Sequence, residues 1–491
     1  MAEQRMVPNE CEYSGERQQG KRHGQGSCLY PDGGRYSGEW KEDLWDGYGR
    51  LTPGSGQYEG EWKAGRKHGH GVYTASDGSV FDGQWHEDRK HGQGKLTEPD
   101  GSRYSGGWQE DRKEGQGTES YSDGGRFSGN WHNDQREGHG VYFYADGGKY
   151  TGAWKESLPH GKGTYTWPDT TAYTGEWHKG KKQGQGDLLL SSGEKYEGEW
   201  LDDLRHGQGE YTYADGSSYS GEWSRNKKHG QGVYIAADGA QYTGSWRNGY
   251  RHGEGEYRDA AGNVFSGHWV GGVMSGVGTF TSSDGESYSG DWQKGQKHGN
   301  GRYIFASGNE YSGEWKRGEM DGQGVLTFPD GTLYKGQWAK GQMEGKGKLS
   351  FPDGSWYEGE WLEGKRHGHG TAREEDGSTY TGEWQDDNRQ GHGVQTEADG
   401  SRYDGQWYAD ERHGHGVSTD GDGVKYTGGW RNNKKSGAGV LSFPSGEVKK
   451  GHWLKGKYLP GSQEKFSDDT FEQDSEDVLN SCYSGNSTTL A

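Results

Sequence analysis

The sequence predicts an all-β fold, an elongated and twisted single-layer antiparallel β-meander solenoid of about 19–20 hairpin units. The first observation is a period: Tyr58, Phe81 and Tyr104 lie 23 residues apart, and each is followed by Gly after two residues and Trp after four. The second is composition, because hydrophobic residues make up only 26% of the 491 residues although 22 are Trp and 32 are Tyr. The third is an alternation of period two around these rings, which is typical of strands.

The repeat that begins at Phe81 illustrates one hairpin. Phe81, Gly83 and Trp85 alternate with polar residues, which predicts a first strand with one buried face. The polar segment 86–91 is interpreted as a six-residue loop, and residues 92–96 alternate again as a second strand.

This interpretation sets the register of the hairpin. It places Trp85 opposite Gly92 and Gly83 opposite Gly94. We expect the glycines to make room for flat rings rather than to confer flexibility. The segment 99–101, Pro-Asp-Gly, predicts a three-residue loop that ends in a left-handed glycine.

The extent of the repeat divides the chain into three segments. Residues 1–12 form an N-terminal arm, residues 13–456 form the solenoid with atypical capping units at both ends, and residues 457–491 form an acidic, Ser-rich tail that we predict to be disordered.

Charge and cysteine content exclude several classes of protein. The net charge of −19, from 56 basic and 75 acidic residues, disfavours nucleic-acid binding. Cys11, Cys28 and Cys482 show neither a disulfide framework nor a zinc spacing, which indicates a reducing compartment. We find no signal peptide and no apolar run long enough to span a membrane, so we expect a cytoplasmic protein.

The unit Tyr-x-Gly-x-Trp, followed by His-Gly-x-Gly and Asp-Gly, resembles the MORN (membrane occupation and recognition nexus) repeat. Residues 63–71, Lys-Ala-Gly-Arg-Lys-His-Gly-His-Gly, are close to that family's consensus, and the resemblance covers residues 13–456. It implies elongated β-meander rods, often dimeric, that act in ciliary radial spokes, parasite cytoskeletal scaffolds and membrane junctions. It also implies accessory regions on lipid kinases and a lysine methyltransferase, but their catalytic domains have no room here.

No catalytic or cofactor-binding signature is present. The chain lacks a phosphate-binding loop and the motifs of kinases, hydrolases and zinc proteases. His68 and His70 share one strand face, but two ligands are too few for a metal site. We therefore expect no enzyme activity, no cofactor and no metal, and we expect the histidines to cap strands and pack on neighbouring rings.

Pairs of basic residues recur after the first strand, and we expect them to line one edge of the stack about 10 Å apart. Such an edge suits anionic lipid headgroups or acidic protein tails, and the alternative is a solvated edge of mixed charge. Glutamates before Trp, such as Glu61 and Glu222, would form an acidic row on the other face. The basic residues are Lys21, Arg22, Arg66, Lys67, Arg89, Lys90, Arg112, Lys113, Lys181, Lys182, Lys227, Lys228, Lys365, Arg366, Lys434 and Lys435.

Three successive repeats lack the apolar residues that others carry fifteen and seventeen positions after the leading aromatic. We predict that this segment, residues 371–421, is a hinge or a docking site, and sequence drift near an end is the alternative. The residues at these positions are Ala372, Glu374, Gln395, Glu397, Ser418 and Asp420.

Together these observations predict a non-catalytic scaffold or spacer that assembles proteins in a cilium, flagellum or cytoskeletal structure. The alternative is a peripheral membrane tether that binds anionic phospholipids through the basic edge. A third hypothesis is a regulatory subunit of a separate enzyme. The expected partners are cytoskeletal or ciliary proteins, with a second copy of the chain and anionic lipids as further candidates.

Overall fold

A computed structural model describes residues 10–52 and 56–459. Most of the predicted N-terminal arm, and the predicted tail from residue 460 onward, lie outside the described residues. Within the described range the chain forms forty strands. They divide into two compact units: unit 1 extends to Gly262 and includes 268–273, and unit 2 comprises 263–267 and the chain from Met274.

Unit 1 contains twenty-two complete strands. They are β1 Glu12–Gln18, β2 Lys21–Leu29, β3 Arg35–Lys41, β4 Leu44–Thr52, β5 Gly56–Lys63, β6 Arg66–Ala75, β7 Val80–His86, β8 Arg89–Thr97, β9 Arg103–Gln109, β10 Arg112–Ser120, β11 Arg126–His132, β12 Gln135–Phe143, β13 Lys149–Lys155, β14 Leu158–Thr166, β15 Ala172–His178, β16 Lys181–Leu189, β17 Lys195–Leu201, β18 Leu204–Thr212, β19 Ser218–Ser224, β20 Lys227–Ile235, β21 Gln241–Arg247 and β22 Tyr250–Arg258.

The boundary between the units falls within β23 Val264–Val270 and at the start of β24 Val273–Thr281. The remaining strands of unit 2 are β25 Ser287–Gln293, β26 Gln296–Ile304, β27 Glu310–Lys316, β28 Glu319–Thr327, β29 Leu333–Ala339, β30 Gln342–Ser350, β31 Trp356–Leu362, β32 Lys365–Arg373, β33 Thr379–Gln385, β34 Asn388–Thr396, β35 Arg402–Tyr408, β36 Glu411–Thr419, β37 Lys425–Arg431, β38 Lys434–Ser442, β39 Val448–Leu454 and β40 Lys457–Leu459.

Within each unit the strands pair antiparallel with their neighbours in chain order, as in a meander. The predicted fold class, an all-β single-layer stack of hairpins, is confirmed. The described part of the chain contains no helix, and so none that could cross a membrane.

The loop inside each hairpin is shorter than the sequence suggested. In the Phe81 repeat it consists of two residues, Glu87 and Asp88, whose φ angles are +47° and +69°. Two successive left-handed residues make the tight turn whose twist matches that of paired strands. The prediction of a six-residue loop was therefore wrong, and Trp85 lies opposite Lys90 rather than Gly92.

A register shift after Gly83 restores part of the predicted pairing. Gly83 does lie opposite Gly94, as expected, while Gly92 lies opposite Trp108 of the next hairpin. Gly92 has φ +63°, so the irregularity falls at a residue that tolerates a left-handed backbone.

The loop between hairpins matches its prediction. The N–H of Gly101 donates to the Glu98 carbonyl at 3.0 Å, and the N–H of Glu98 donates to the Ser102 carbonyl at 2.9 Å. Gly101 has φ +92°. This is the expected three-residue loop with a glycine where the backbone is left-handed.

In each unit, the core lies on one face of the stacked strands, which we call the ring face. Tyr196 is fully buried and meets two indoles edge to face: Trp200 of its own strand at 5.2 Å and Trp223 of the next hairpin at 5.5 Å. The Trp223 Nε1–H donates to the Gly209 carbonyl at 3.0 Å. Because most leading aromatic rings contact a Trp from their own repeat and a Trp from the next in this way, the core is continuous between neighbours.

The cysteine expectation was wrong for one pair. The structure joins Cys11 and Cys28 in a disulfide, with their Cα atoms 5.6 Å apart. The pairing of β1 with β2 places Glu12 opposite Leu29, which brings Cys11 beside the end of the second strand. These two residues therefore no longer indicate a reducing compartment.

Candidate binding surface

The predicted basic edge is divided between two environments. The second residue of each basic pair lies nine positions after the leading aromatic, on the ring face. Lys67 Nζ, for example, is 4.2 Å from the Tyr73 ring centroid and 4.7 Å from the Trp85 ring centroid. Such cation–π contacts make these residues part of the core. The members among the predicted residues are Arg22, Lys67, Lys90, Lys113, Lys182, Lys228, Arg366 and Lys435.

Other repeats show that this position serves packing. Met274, Met320 and Met343 occupy it in three repeats, and Lys297 occupies it in the repeat between the first two. Burial lowers the pKa of Lys228 to about 8 and that of Lys297, which the basic-pair motif did not include, also to about 8. The alternation of cationic residues with Met was the sequence signal that could have revealed this role.

The first residue of each pair is exposed on the opposite face. Several of these residues form ion pairs with the acidic residue of the following loop: Arg66 with Glu87 at 3.1 Å and Arg89 with Glu110 at 2.9 Å. Exposed pairs of this kind contribute little to stability. The exposed members are Lys21, Arg66, Arg89, Arg112, Lys181, Lys227, Lys365 and Lys434.

The aspartates beside the basic pairs join one repeat to the next. The N–H of Lys67 donates to Asp88 Oδ1 at 2.9 Å, and the N–H of Asp88 donates to the Lys67 carbonyl at 3.1 Å. The same contact from the Arg22 N–H holds the pKa of the Asp43 carboxyl below its usual value. These acids therefore act as caps between hairpins as well as countercharges.

The glutamates before Trp are not a free acidic row. Glu61 Oε1 accepts the His70 N–H at 3.0 Å, and Glu222 Oε1 accepts the Gln231 N–H at 2.8 Å. Gln84 accepts the N–H of Gln93 in the same way, which shows that the contact does not require a charge. The carboxylates satisfy backbone donors next to the irregularity in the second strand.

A stripe of five partly exposed rings crosses the ring face of unit 1. We call Tyr121, Tyr142, Tyr144, Tyr165 and Trp167 the aromatic stripe. Successive ring centroids along it are 5.8, 4.4, 5.4 and 4.5 Å apart. From the sequence, these positions were interpreted only as apolar cover. The missed signal was that five consecutive residues at these positions are aromatic.

The predicted hinge or docking segment has polar contacts where other repeats have apolar ones. Arg389 donates to Gln395 at 2.8 Å, and Gln395 donates to Glu397 at 2.8 Å. Arg412 forms an ion pair with Glu397 at 3.4 Å. The other predicted residues are Ala372, which is 4% exposed, Ser418, which is partly exposed, and Glu374 and Asp420, which are exposed.

The histidines lie near one another without forming a metal site. The His68 ring centroid is 5.3 Å from the His86 ring centroid. The Nε2 atom of His70 lies 3.1 Å from the Oδ1 atom of Asp82. Over residues 10–52 and 56–459, no group of three or more His, Cys, Asp or Glu side chains could hold a metal ion.

Comparison with known proteins supports the repeat assignment. The MORN repeat model matches nineteen successive segments, from residues 13–35 to residues 426–448. A comparison with curated proteins finds no match.

Solved structures give weak similarities only. The TCP10 domain of Danio rerio CPAP in complex with a STIL peptide has 11% identity and a TM-score of 0.17, covering 55% of this chain and 93% of that one. Virginiamycin B lyase from Staphylococcus aureus has 11% identity and a TM-score of 0.11, covering 57% and 90%. Similarities this low carry no argument about fold or function, whereas the repeat model spans most of the sequence. The chain therefore belongs to the MORN repeat family.

Proposed function

We propose that the protein is a non-catalytic scaffold that binds other proteins in a cilium, flagellum or cytoskeletal structure. The observation that supports this most is the aromatic stripe, because partly exposed Tyr and Trp rings are typical of protein-binding surfaces. Membership in a repeat family without catalytic function agrees with this proposal.

Affinity capture from ciliated cells tests the proposal. The stripe variant is Tyr144→Leu with Trp167→Leu, because the next repeat naturally carries leucines there, at Leu188 and Leu190. The matched control is Phe143→Thr on the opposite face, where Phe143 is 47% exposed.

We expect the wild type and the control to capture ciliary or cytoskeletal proteins, and the stripe variant to lose them. Capture that is the same for all three proteins, or that contains no cytoskeletal protein, would contradict the proposal. An enzyme bound in stoichiometric amount would instead support a regulatory subunit.

A second candidate is a peripheral membrane tether, which the exposed first residues of the basic pairs favour. Arg112 donates to the uncharged Asn133 amide oxygen at 2.9 Å, so its charge is not neutralised by that contact. Anionic lipid surfaces attract such residues. Co-sedimentation with phosphatidylserine vesicles, but not with phosphatidylcholine vesicles, would support this candidate if Arg112→Gln with Lys227→Gln reduces it.

A further inference from the structure

We propose that the aromatic stripe of unit 1 binds a proline-rich peptide segment that carries basic residues and lies across the strands. The inference rests on the proposed role as a protein-binding scaffold and names the class of segment that the partner would present. It uses three features of the described residues: the spacing of the repeats, the room around the tyrosine rings and the charge beside the stripe.

The spacing of the hairpins matches the pitch of a polyproline II helix. Such a helix rises about 3.1 Å per residue and has three residues per turn, so one turn advances about 9.3 Å. Two strands of a sheet advance about 9.6 Å. Every third residue of the peptide would therefore meet the same position of successive hairpins; Tyr121, Tyr144 and Trp167 are one such series.

The rings in the stripe have room that most other repeats lack. A Cβ on Gly125 would lie 2.7 Å from the Tyr142 hydroxyl oxygen, and Gly148 lies under Tyr165 in the same way. Apart from Gly34 and Gly56 in the first two repeats, equivalent positions carry side chains, as in Ser102 and Thr171. The two glycines let the tyrosine rings lie over the backbone at the border of the stripe.

Proline suits such a surface for physical reasons. A polyproline helix is already extended, so little conformational entropy is lost on binding. Proline has no N–H group that would be left unpaired against a ring. The carbonyl groups of the helix remain available to Tyr hydroxyl donors, and aromatic-lined grooves are a recurring site for proline-rich segments.

The charges beside the stripe favour a basic peptide. Asp123, Asp146 and Asp169 are exposed in the loops that follow the stripe, one per repeat. The Gly125 N–H donates to Asp123 Oδ1 at 2.7 Å, and the Gly148 N–H donates to Asp146 Oδ1 at 2.8 Å, which fixes these carboxylates at the loop edge. Arg or Lys at every third peptide position would meet one aspartate per turn.

Two cations of the same face contact rings of the stripe: Arg136 lies 5.1 Å from the Tyr142 ring centroid, and Lys182 Nζ lies 5.1 Å from that of Trp167. Arg136 also lies 4.6 Å from the Trp154 ring centroid and donates to the Ser157 carbonyl at 2.8 Å. Lys182 Nζ also lies 4.8 Å from the Trp200 ring centroid. Lys113 is paired with Glu119. The peptide's basic residues would therefore face the aspartates, and its prolines the rings.

The experiment measures fluorescence anisotropy of labelled peptides titrated with the full-length protein. The test peptide contains four Pro-Pro-Arg triplets; the controls replace the prolines with Gly-Ser or the Arg with Glu. We expect saturable one-to-one binding of the test peptide, at least tenfold weaker binding of the Gly-Ser control and no binding of the Glu control.

Variants locate the site. Tyr144→Leu with Trp167→Leu should weaken binding at least tenfold, whereas the matched change Phe328→Leu in unit 2 should not. The double variant Asp123→Asn with Asp146→Asn keeps the rings and should weaken peptide binding severalfold. Its peptide affinity should also depend less on salt concentration, because two attracting charges are removed. Circular dichroism melting establishes that each variant is folded.

Absence of binding, equal binding of the Gly-Ser control, or unchanged binding by both the stripe variant and the double aspartate variant would each overturn the inference. If the peptide fails to bind but the stripe variant still loses its captured proteins, the scaffold proposal stands and only the choice of partner segment falls. If binding and capture both fail to respond to the stripe variant, both proposals fall.

Discussion

The ring of Tyr196 lies across Gly209 on the partner strand of its hairpin, so that a Cβ on Gly209 would be 2.6 Å from ring atoms Cε2 and Cζ. The Tyr196 hydroxyl donates to the Glu199 carbonyl at 2.9 Å, which holds the ring in this position. The predicted register, with the Trp of each hairpin opposite the first glycine of its second strand, would pair Trp200 with Gly207, but Trp200 lies opposite Arg205. The glycine is thus required by the tyrosine of its own repeat.

Gly209→Val should destabilise the hairpin by about 1–3 kcal/mol, because the branched side chain would overlap the buried Tyr196 ring. Chemical denaturation monitored by circular dichroism measures the change. Glu222→Gln is the control and should be near neutral, since Gln84 already makes the equivalent contact. Equal stability of Gly209→Val and the wild type would show that the glycine is not needed for packing.

Asp88→Ala should cost about 0.5–1.5 kcal/mol, because the Lys67 N–H loses its acceptor on the next repeat. Asp88→Asn should cost much less, since Asn226 accepts the N–H of Arg205 at 2.8 Å in the same position. Hydrogen exchange at the Lys67 amide reports the loss directly. An amide equally protected in the Ala variant would mean that the side chain does not join the repeats.

Lys228→Met tests the buried cation through its pH dependence. Lys228 Nζ is 4.1 Å from the Tyr234 ring centroid, and burial, with Arg251 nearby, lowers its pKa to about 8 from the ordinary 10.5. Between these values the unfolded chain binds more protons than the folded one, so this group adds stability as the pH rises.

We therefore expect the wild type to gain stability relative to Lys228→Met between pH 7 and pH 9. Comparing the two proteins removes titrations that they share, including those of Tyr213 and Tyr219 near the amine. A difference between their unfolding free energies that stays constant over this range would contradict a lowered pKa.

The period, the buried rings and the loop between hairpins could be predicted because each is carried by residue types with one strong structural preference. The loop inside this hairpin could not, because Glu87 adopts a left-handed backbone angle that its residue type does not signal, although Asp88 is of a type enriched there. The second basic residues were assigned to an exposed edge because a charge ordinarily indicates solvent, whereas Lys67 lies over rings. The aromatic stripe was missed for a different reason, because the positions of its rings were interpreted only as apolar cover.

The segment 371–421 should exchange its amide hydrogens faster than residues 288–350 of the same unit. Its second strands carry polar groups on the ring face, and hydrogen bonds such as that from Arg389 to Gln395 replace apolar burial only in part. Hydrogen exchange with mass spectrometry measures both ranges in one experiment. Equal protection of the two ranges would remove the hinge and leave sequence drift as the explanation.

If partners bind the ring face, hydroxyl-radical footprinting of the protein with a captured partner should detect their contact there. Tyr144 and Phe143 are neighbours in sequence but point to opposite faces of the sheet, so they form a matched pair of probes. We predict that the partner slows oxidation of Tyr144, Tyr165 and Trp167 and leaves that of Phe143 unchanged. Protection of Phe143 with unchanged oxidation of the three stripe residues would contradict it.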